Sequence, residues 1–340
     1  MKMAQERSDQ TLIGCQNYWS SHPQIMELEK FGPRLGIFRD DCAGLYRRLE
    51  QGELHYAFCS SISLARNAEF EMALPLGISH TSSNSLAYWG VANSYPALKE
   101  IIDARVQTLR ELFRAAQMTR TENLKQGAQV LLETLDRLPP LALDTLPMIQ
   151  FNGGSTSWSA LSRLLYKLIF GADAYEMMTR LQSHGPSNLS DDVHLELRSE
   201  NDALQRRCTY RTTIDLAEVW RTITGLPFVS TILQKTRRCQ SQSCRASLAE
   251  VTELAQMRMQ IEPCTYLPDM LPRNAQQQSI DLCAVWKSLN YRLGADDLRS
   301  LLVFLFLAKP LEKKGVEDEA FTLKMLRWQQ RGGAMAGMMA

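Results

Sequence analysis

Gly52-Glu53-Leu54-His55-Tyr56-Ala57-Phe58-Cys59-Ser60-Ser61-Ile62-Ser63-Leu64-Ala65-Arg66 is the stretch on which the fold turns. Leu54 to Cys59 reads as a short, mostly apolar strand that runs straight into the Ser60-Ser61 pair at the start of a predicted helix. Small hydroxyl residues at a helix N-terminus make an anion site, because free backbone N–H groups and the positive end of the helix dipole meet there. A like arrangement recurs at Met148-Ile149-Gln150-Phe151-Asn152-Gly153-Gly154-Ser155-Thr156-Ser157, ahead of a predicted helix from Trp158 to Phe170. Two such sites, far apart in the chain, point to two lobes gripping one small molecule with more than one negative group.

Working outward, the first ninety residues alternate strand and helix signals. Leu12 to Cys15 is a short apolar run, and Pro23 to Lys30 suits a helix with Pro in its first turn. Arg34 to Phe38 is the next strand; Asp40 or Asp41 then caps a helix that Gly52 ends. Leu54 to Cys59 is followed by a short helix and by the strand Phe70 to Ile78. Strands separated by single helices predict a parallel sheet, with ligand bound beyond its carboxyl ends. Ser20-Ser21, Ser60-Ser61 and the run from Ser79 to Ser85 all fall at such ends.

From Pro96 to Leu138 the apolar spacing becomes helical, interrupted at Thr119 to Asn123 and stopped by Pro139-Pro140. This predicts a helical hairpin with a packing or oligomer role. After the unit at 147–170, helical and loop segments lead to Arg211-Thr212-Thr213-Ile214-Asp215-Leu216. Ala217 to Leu233 follows, its last part an apolar strand after a turn containing Gly225 that can cross back between lobes, and the remainder reads as helical. Arg331 to Ala340 is expected to be a disordered tail.

Composition narrows the classes. The chain has 340 residues, 45% hydrophobic and 22% charged, with a net charge of +1. That balance argues against nucleic acid or a membrane surface as partner, so any anion site must be local. Met1 to Gln10 lacks the apolar core of a signal peptide, and Leu301 to Ala308 is too short to span a bilayer. A cytoplasmic location is the resulting expectation. The eight scattered cysteines fit reduced thiols in such a compartment better than a disulfide framework. Cys239 and Cys244 lack the further ligands of a zinc site, and no glycine-rich nucleotide fingerprint or HExxH motif is present.

Taken together, five segments resemble the chorismate dehydratase family of the futalosine route to menaquinone. Ile13-Gly14 through Tyr18 to Pro23 matches its opening strand and Tyr-Leu-Asn-x-x-Pro turn, and Leu49 to Arg66 its Gly-Glu-Leu…Ser-Ser-Ile…Ala-Arg block. Ser155-Thr156-Ser157 matches the Thr-Ser motif of its second lobe, and Asp215 to Val229 its Asp-Leu…Trp…Thr-Gly-Leu-Pro-Phe-Val segment. Tyr291-Arg292-Leu293-Gly294…Asp297-Leu298 matches its last element. The resemblance implies an α/β, two-lobed type II periplasmic-binding-protein-like fold, with the hairpin at 96–146 as an insertion. Lobe 1 would comprise 10–90 plus 226–330, and lobe 2 would comprise 91–225.

The implied activity is cofactor-free dehydration of chorismate, a small dianion, to 3-[(1-carboxyvinyl)oxy]benzoate. Aromatisation drives that elimination, so the protein must chiefly position, stabilise charge and supply a base. The resemblance implies Ser20 and Asn17 as catalytic residues, and Ser60, Ser61, Ile62, Ser85, Thr156, Ser157 and Asn201 as substrate-binding residues. His22, His80 or the substrate's own enolpyruvyl carboxylate stand as alternatives for the base. Trp89 and Trp158 either lie along the substrate ring or pack in the core.

Three departures from the family pattern keep other readings open. Ser20 stands where the family has Asn, and Ser82-Ser83-Asn84 replaces a Gly-Pro-Val loop. Ser199-Glu200-Asn201…Ala203-Leu204 replaces Ile-Gly-Asp…Ala-Leu. The alternatives are a non-catalytic small-anion-binding protein that kept the clamp, and a sister-branch enzyme acting on a cyclic futalosine derivative.

Overall fold

The computed structural model describes residues 10–30, 35–81, 86–92, 96–116, 124–135, 138, 141, 146–151, 156–172, 194–206, 209–239, 244–267 and 282–312. Ser82 to Ser85, Asn152 to Ser155 and the expected tail lie outside them. The strands are β1 (Thr11–Gln16), β2 (Leu35–Asp40), β3 (Tyr56–Ser60), β4 (Phe70–His80), β5 (Ala87–Ala92), β6 (Met148–Phe151), β7 (His194–Ser199), β8 (Thr212–Asp215), β9 (Phe228–Thr236) and β10 (Leu289–Arg292). They form two sheets, ordered β10-β4-β9-β3-β1-β2 and β6-β7-β5-β8. This is the two-lobed, type II periplasmic-binding-protein-like α/β fold.

The chain enters the second sheet after β4 and returns to the first at β9. That return corrects the expected parallel sheet. β1 pairs in parallel with β2 and β3, joined by helices His22–Glu29 and Cys42–Gln51. β9, arriving from the other lobe, inserts between β3 and β4 and runs antiparallel to both. β4 therefore keeps the direction of β1 to β3 without touching β3. β10 adds an antiparallel edge to β4. It and β7 are strands where the sequence reading has only helix and loop.

Local chemistry sets the element ends. The Asp41 side chain accepts from the Gly44 N–H, and the helix it caps closes on Gly52 at φ 78°. Asp215 likewise caps helix Leu216–Thr224 through the Glu218 N–H, and Gly225 closes it at φ 74°. Both glycines hold the left-handed conformation that a side chain disfavours.

The segment expected as a helical hairpin holds helices Pro96–Ala115 and Leu124–Leu135, which pack on other helices of the molecule instead of on each other. Leu98, Ile102, Val106, Leu109 and Phe113 recur at helical spacing along the first and are all buried. That stripe lies against helix Leu216–Thr224, while the second helix packs on helix Ala295–Ala308. One apolar cluster, including Trp89, Trp158, Trp220, Phe228 and Phe304, runs through both lobes. Among the described residues, no helix is long and apolar enough to cross a membrane, no group of three or more acidic, His or Cys residues could hold a metal ion, and the cysteines form no disulfide.

Candidate functional site

The turn after β1 brings three of the expected residues together. Trp19–Ser21 forms one 3-10 turn ahead of helix His22–Glu29. Asn201, at the start of helix Glu200–Arg206, accepts from the Trp19 N–H at 3.0 Å and donates to the Asn17 carbonyl at 3.3 Å. Ser20 Oγ donates to Glu200 Oε2 at 2.7 Å, and its carbonyl accepts from Tyr291 Oη at 2.7 Å. Trp286 Nε1 donates to the Trp19 carbonyl at 2.9 Å. Asn17, Ser20 and Asn201 thus meet between the lobes, although Asn17 joins through its backbone and its side chain is exposed.

The serine pair meets the second lobe directly. Helix Thr156–Phe170 presents Ser157, whose Oγ lies 2.5 Å from Ser60 Oγ and 3.0 Å from Ser61 Oγ. Ser157 Oγ also donates to the Ser230 carbonyl at 2.6 Å, and Ser61 Oγ to the Val229 carbonyl at 2.8 Å. Ser60 is the last residue of β3, and the helix behind it, Ser63–Arg66, is four residues long. The Ser61 N–H donates to the Ser230 carbonyl, so it is not a free helix-end donor, which corrects the expectation at this point. Ile62 is fully buried in the apolar cluster. Thr156 opens its helix, and Ser85 lies outside the described residues.

The two histidines differ in setting. His22 is half-buried between the rings of Trp19 and Trp286, and burial lowers its pKa. His80 is buried at the end of β4 with its ring 4.7 Å from that of Trp158. Its Nε2 lies 3.0 Å from Ser230 Oγ. Burial drives its pKa down to about 3, so the ring is neutral and a weak base. Trp158 and Trp89 are core residues at 0% exposure; Trp89 Nε1 donates to Ser162 Oγ.

Sequence reasoning missed the group at the centre. Glu200 is 1% exposed, and its Oε1 accepts from Trp158 Nε1 at 2.9 Å while Oε2 accepts from Ser20. Ser20 comes from the turn after β1 and Trp158 from the helix Thr156–Phe170, so the carboxyl is held by donors from two separate elements. Burial raises its pKa to about 7, against the lowering effect of those two donors. Its backbone is left-handed at φ 54°, the one such non-glycine residue among those described. Glu200 stands where the resembled motif has Gly, and its φ lies in the region that glycine favours. That conformation costs a side-chain-bearing residue about 1–3 kcal/mol. A Glu at a glycine position was the available signal.

Four buried side-chain atoms on the surrounding segments have no hydrogen-bond partner: Gln16 Nε2, Ser21 Oγ, His80 Nδ1 and Ser199 Oγ. They lie at the ends of β1, β4 and β7 and in the turn after β1. Native interiors rarely leave such groups unsatisfied.

No family model and no curated protein matches the sequence. Solved structures are similar at low identity. Protein AF1704 from Archaeoglobus fulgidus is 12% identical, over 96% of this chain and 99% of that one, with a TM-score of 0.40. The Candida albicans CA3427 gene product, described as exhibiting the generic periplasmic binding protein fold, is 12% identical over 93% and 94%, at 0.45. The alkanesulfonate-binding protein SsuA from Xanthomonas axonopodis pv. citri, bound to MOPS, is 13% identical over 92% and 97%, at 0.48. At these identities the likeness is one of fold alone.

Proposed function

We propose that the protein is a carbon–oxygen lyase that takes chorismate between its lobes and removes water from it, giving 3-[(1-carboxyvinyl)oxy]benzoate. The observation that carries the reading is unmet polar capacity at the junction of the lobes. Gln16, Ser21 and Ser199 each bury a polar atom without a partner on the segments that hold Ser20 and Glu200, and His80 does so at the end of β4. A buried donor or acceptor left unsatisfied costs about 1–3 kcal/mol, which a polar ligand would recover.

The serine cluster supplies the anion contacts in this reading. Ser60, Ser61 and Ser157 bond to one another or to carbonyls. A carboxylate entering between the lobes would exchange these neutral contacts for charge-assisted ones, about twice as strong. Ser20, with its hydroxyl fixed at the same junction, is placed to orient the leaving hydroxyl. The substrate itself comes from the five sequence segments; the geometry supports a small polar ligand held from both lobes.

Titration of purified protein with chorismate, followed by tryptophan fluorescence, tests the binding half of this reading, because Trp158 and Trp286 bond directly to the junction. The expected result is saturable quenching or enhancement that Ser157→Ala weakens at least tenfold. An unresponsive signal, confirmed by the absence of heat on calorimetric titration, would contradict it. The direct Ser60–Ser157 contact favours one second reading, a clamp that binds small anions without chemistry; binding without product would establish that instead.

A further inference from the structure

We propose that Glu200 is the catalytic acid–base of this site, taking the proton from ring carbon 3 of chorismate and handing it to the departing hydroxyl. The inference rests on the dehydratase reading. It answers the question that the two histidines leave open, since the fully buried His80 ring is too weak a base and His22 lies against two indole rings.

The geometry favours a carboxyl here. Glu200 is held at the meeting of the lobes by one donor from each side, Ser20 Oγ at 2.7 Å and Trp158 Nε1 at 2.9 Å. Its main chain is fixed by an N–H to Leu86 carbonyl bond of 2.5 Å. A left-handed glutamate persists only where its surroundings over-determine it, and such outliers concentrate at functional sites. The titratable groups that face it are Tyr18 from the opening turn and Tyr291 from β10, both with pKa values raised by burial, and the neutral His80 ring edge-on to Trp158. Arg198, two residues away, is turned to Glu196 and Asp202. Burial raises the Glu200 carboxyl to about 7, where an acid–base group works best, and none of these groups is a cation that would offset it.

The chemistry suits a single carboxyl. The two ring oxygens of chorismate are trans, so the hydrogen on carbon 3 and the hydroxyl on carbon 4 share one face of the ring. The Glu200 carboxylate takes the proton, and the electron pair of that C–H bond becomes the new ring double bond. The carbon 4–oxygen bond breaks, and the departing hydroxide takes the proton back from Glu200 and leaves as water. The carboxylate is regenerated, the ring is aromatic, and no oxidant or reductant is needed.

A dianionic ligand also gives Glu200 a pH signature that a structural role would lack. The ligand is repelled by the carboxylate, so affinity should weaken as pH rises through 7, whereas turnover should rise over the same range because the base must be ionised. The test measures kcat and chorismate affinity against pH for the wild type, Glu200→Gln and Glu200→Asp. In the Gln variant the Ser20 hydroxyl can turn to accept from the amide while Trp158 keeps its acceptor. Glu200→Gln is expected to lower kcat about 100- to 10,000-fold, to bind chorismate at least as tightly, and to lose both pH dependences. Glu200→Asp should turn over more slowly yet keep them, and it serves as the readout if the Gln variant does not fold.

Wild-type kcat and pH dependence retained in Glu200→Gln would overturn the assignment and leave the dehydratase reading standing. So would an active Asp variant that is indifferent to pH. A wild type that neither binds nor converts chorismate would overturn the dehydratase reading and the assignment with it.

Discussion

Glu200 and His80 both contact the Trp158 indole and pull stability in opposite directions with pH. Glu200 has a folded pKa raised from 4.5 to about 7, so the folded form holds its proton more tightly than the unfolded chain. Its contribution is complete below the unfolded value and is lost as pH rises through 7. His80 is the reverse, lowered from 6.5 to about 3. Its contribution is complete above 6.5 and is lost as pH falls toward 3. The two slopes oppose each other between 4.5 and 6.5. Urea unfolding across that window should therefore give a nearly level wild type, while Glu200→Gln becomes steadily more stable as pH rises. Parallel curves for the two proteins would contradict the Glu200 assignment, and a variant whose stability stays level would contradict that of His80.

Much of this junction was legible at the residue scale, and the central carboxyl was not. Asn17, Ser20, Ser60, Ser61, Ser157 and Asn201 were all marked by strand ends and motif positions, and they meet as pairs or clusters. Glu200 carries no periodic signal, and its one mark in the sequence is that it stands where the resembled motif has Gly. Its importance comes from burial and from donors 180 and 42 residues away, which no local pattern records.

At the scale of elements, capping was readable and pairing was not. Gly52 ends its helix where expected, and the turn expected at Gly225 closes a helix, Leu216–Thr224, that was not foreseen. A Cβ at Gly225 would meet nothing within 4 Å, so only its φ of 74° opposes substitution. Gly225→Ala should cost about 1–2 kcal/mol in chemical denaturation; an unchanged midpoint would mean the turn relaxes. Gly77 is a different case. Its Cβ would lie 2.2 Å from the Thr231 carbonyl, where the β4–β9 register shifts. Gly77→Ala must therefore move backbone, and a loss greater than that of Gly225→Ala is expected in the same assay.

The missed strands divide by cause. β7 alternates buried Leu195 and Leu197 with Glu196, Arg198 and Ser199 following, a period-two signal available to be read. β10 is four residues long and follows a short helix, too brief for any period to show. The insertion of β9 between β3 and β4 is a long-range pairing, set when the chain returns from the second lobe.

For the whole molecule, an ion-pair cluster joins the lobes at a second place. Glu312, 6% exposed at the side chain, pairs with Arg66 at 2.6 Å and with Arg163, joining the short helix behind β3 to helix Thr156–Phe170 of the other lobe. Removing one partner of a buried ion pair typically costs about 3–5 kcal/mol. Glu312→Gln should lose stability of that order, discounted for the exposure of Arg66, and should loosen the lobes, read as a larger radius of gyration by solution scattering. A variant as stable and compact as the wild type would show the bridge to be dispensable.

The two-lobed layout was foreseen from two strand-to-helix serine sites, and those sites do meet, though as a closed hydroxyl cluster instead of an open anion pocket. Opening and refilling that cluster is what the proposed function requires. The most direct measurement is incubation of purified protein with chorismate, followed by chromatographic assay for 3-[(1-carboxyvinyl)oxy]benzoate. Catalytic, protein-dependent appearance of this aromatic enol ether, absent with heat-killed protein, is the predicted result. Chorismate recovered unchanged in the presence of folded protein would contradict the central claim.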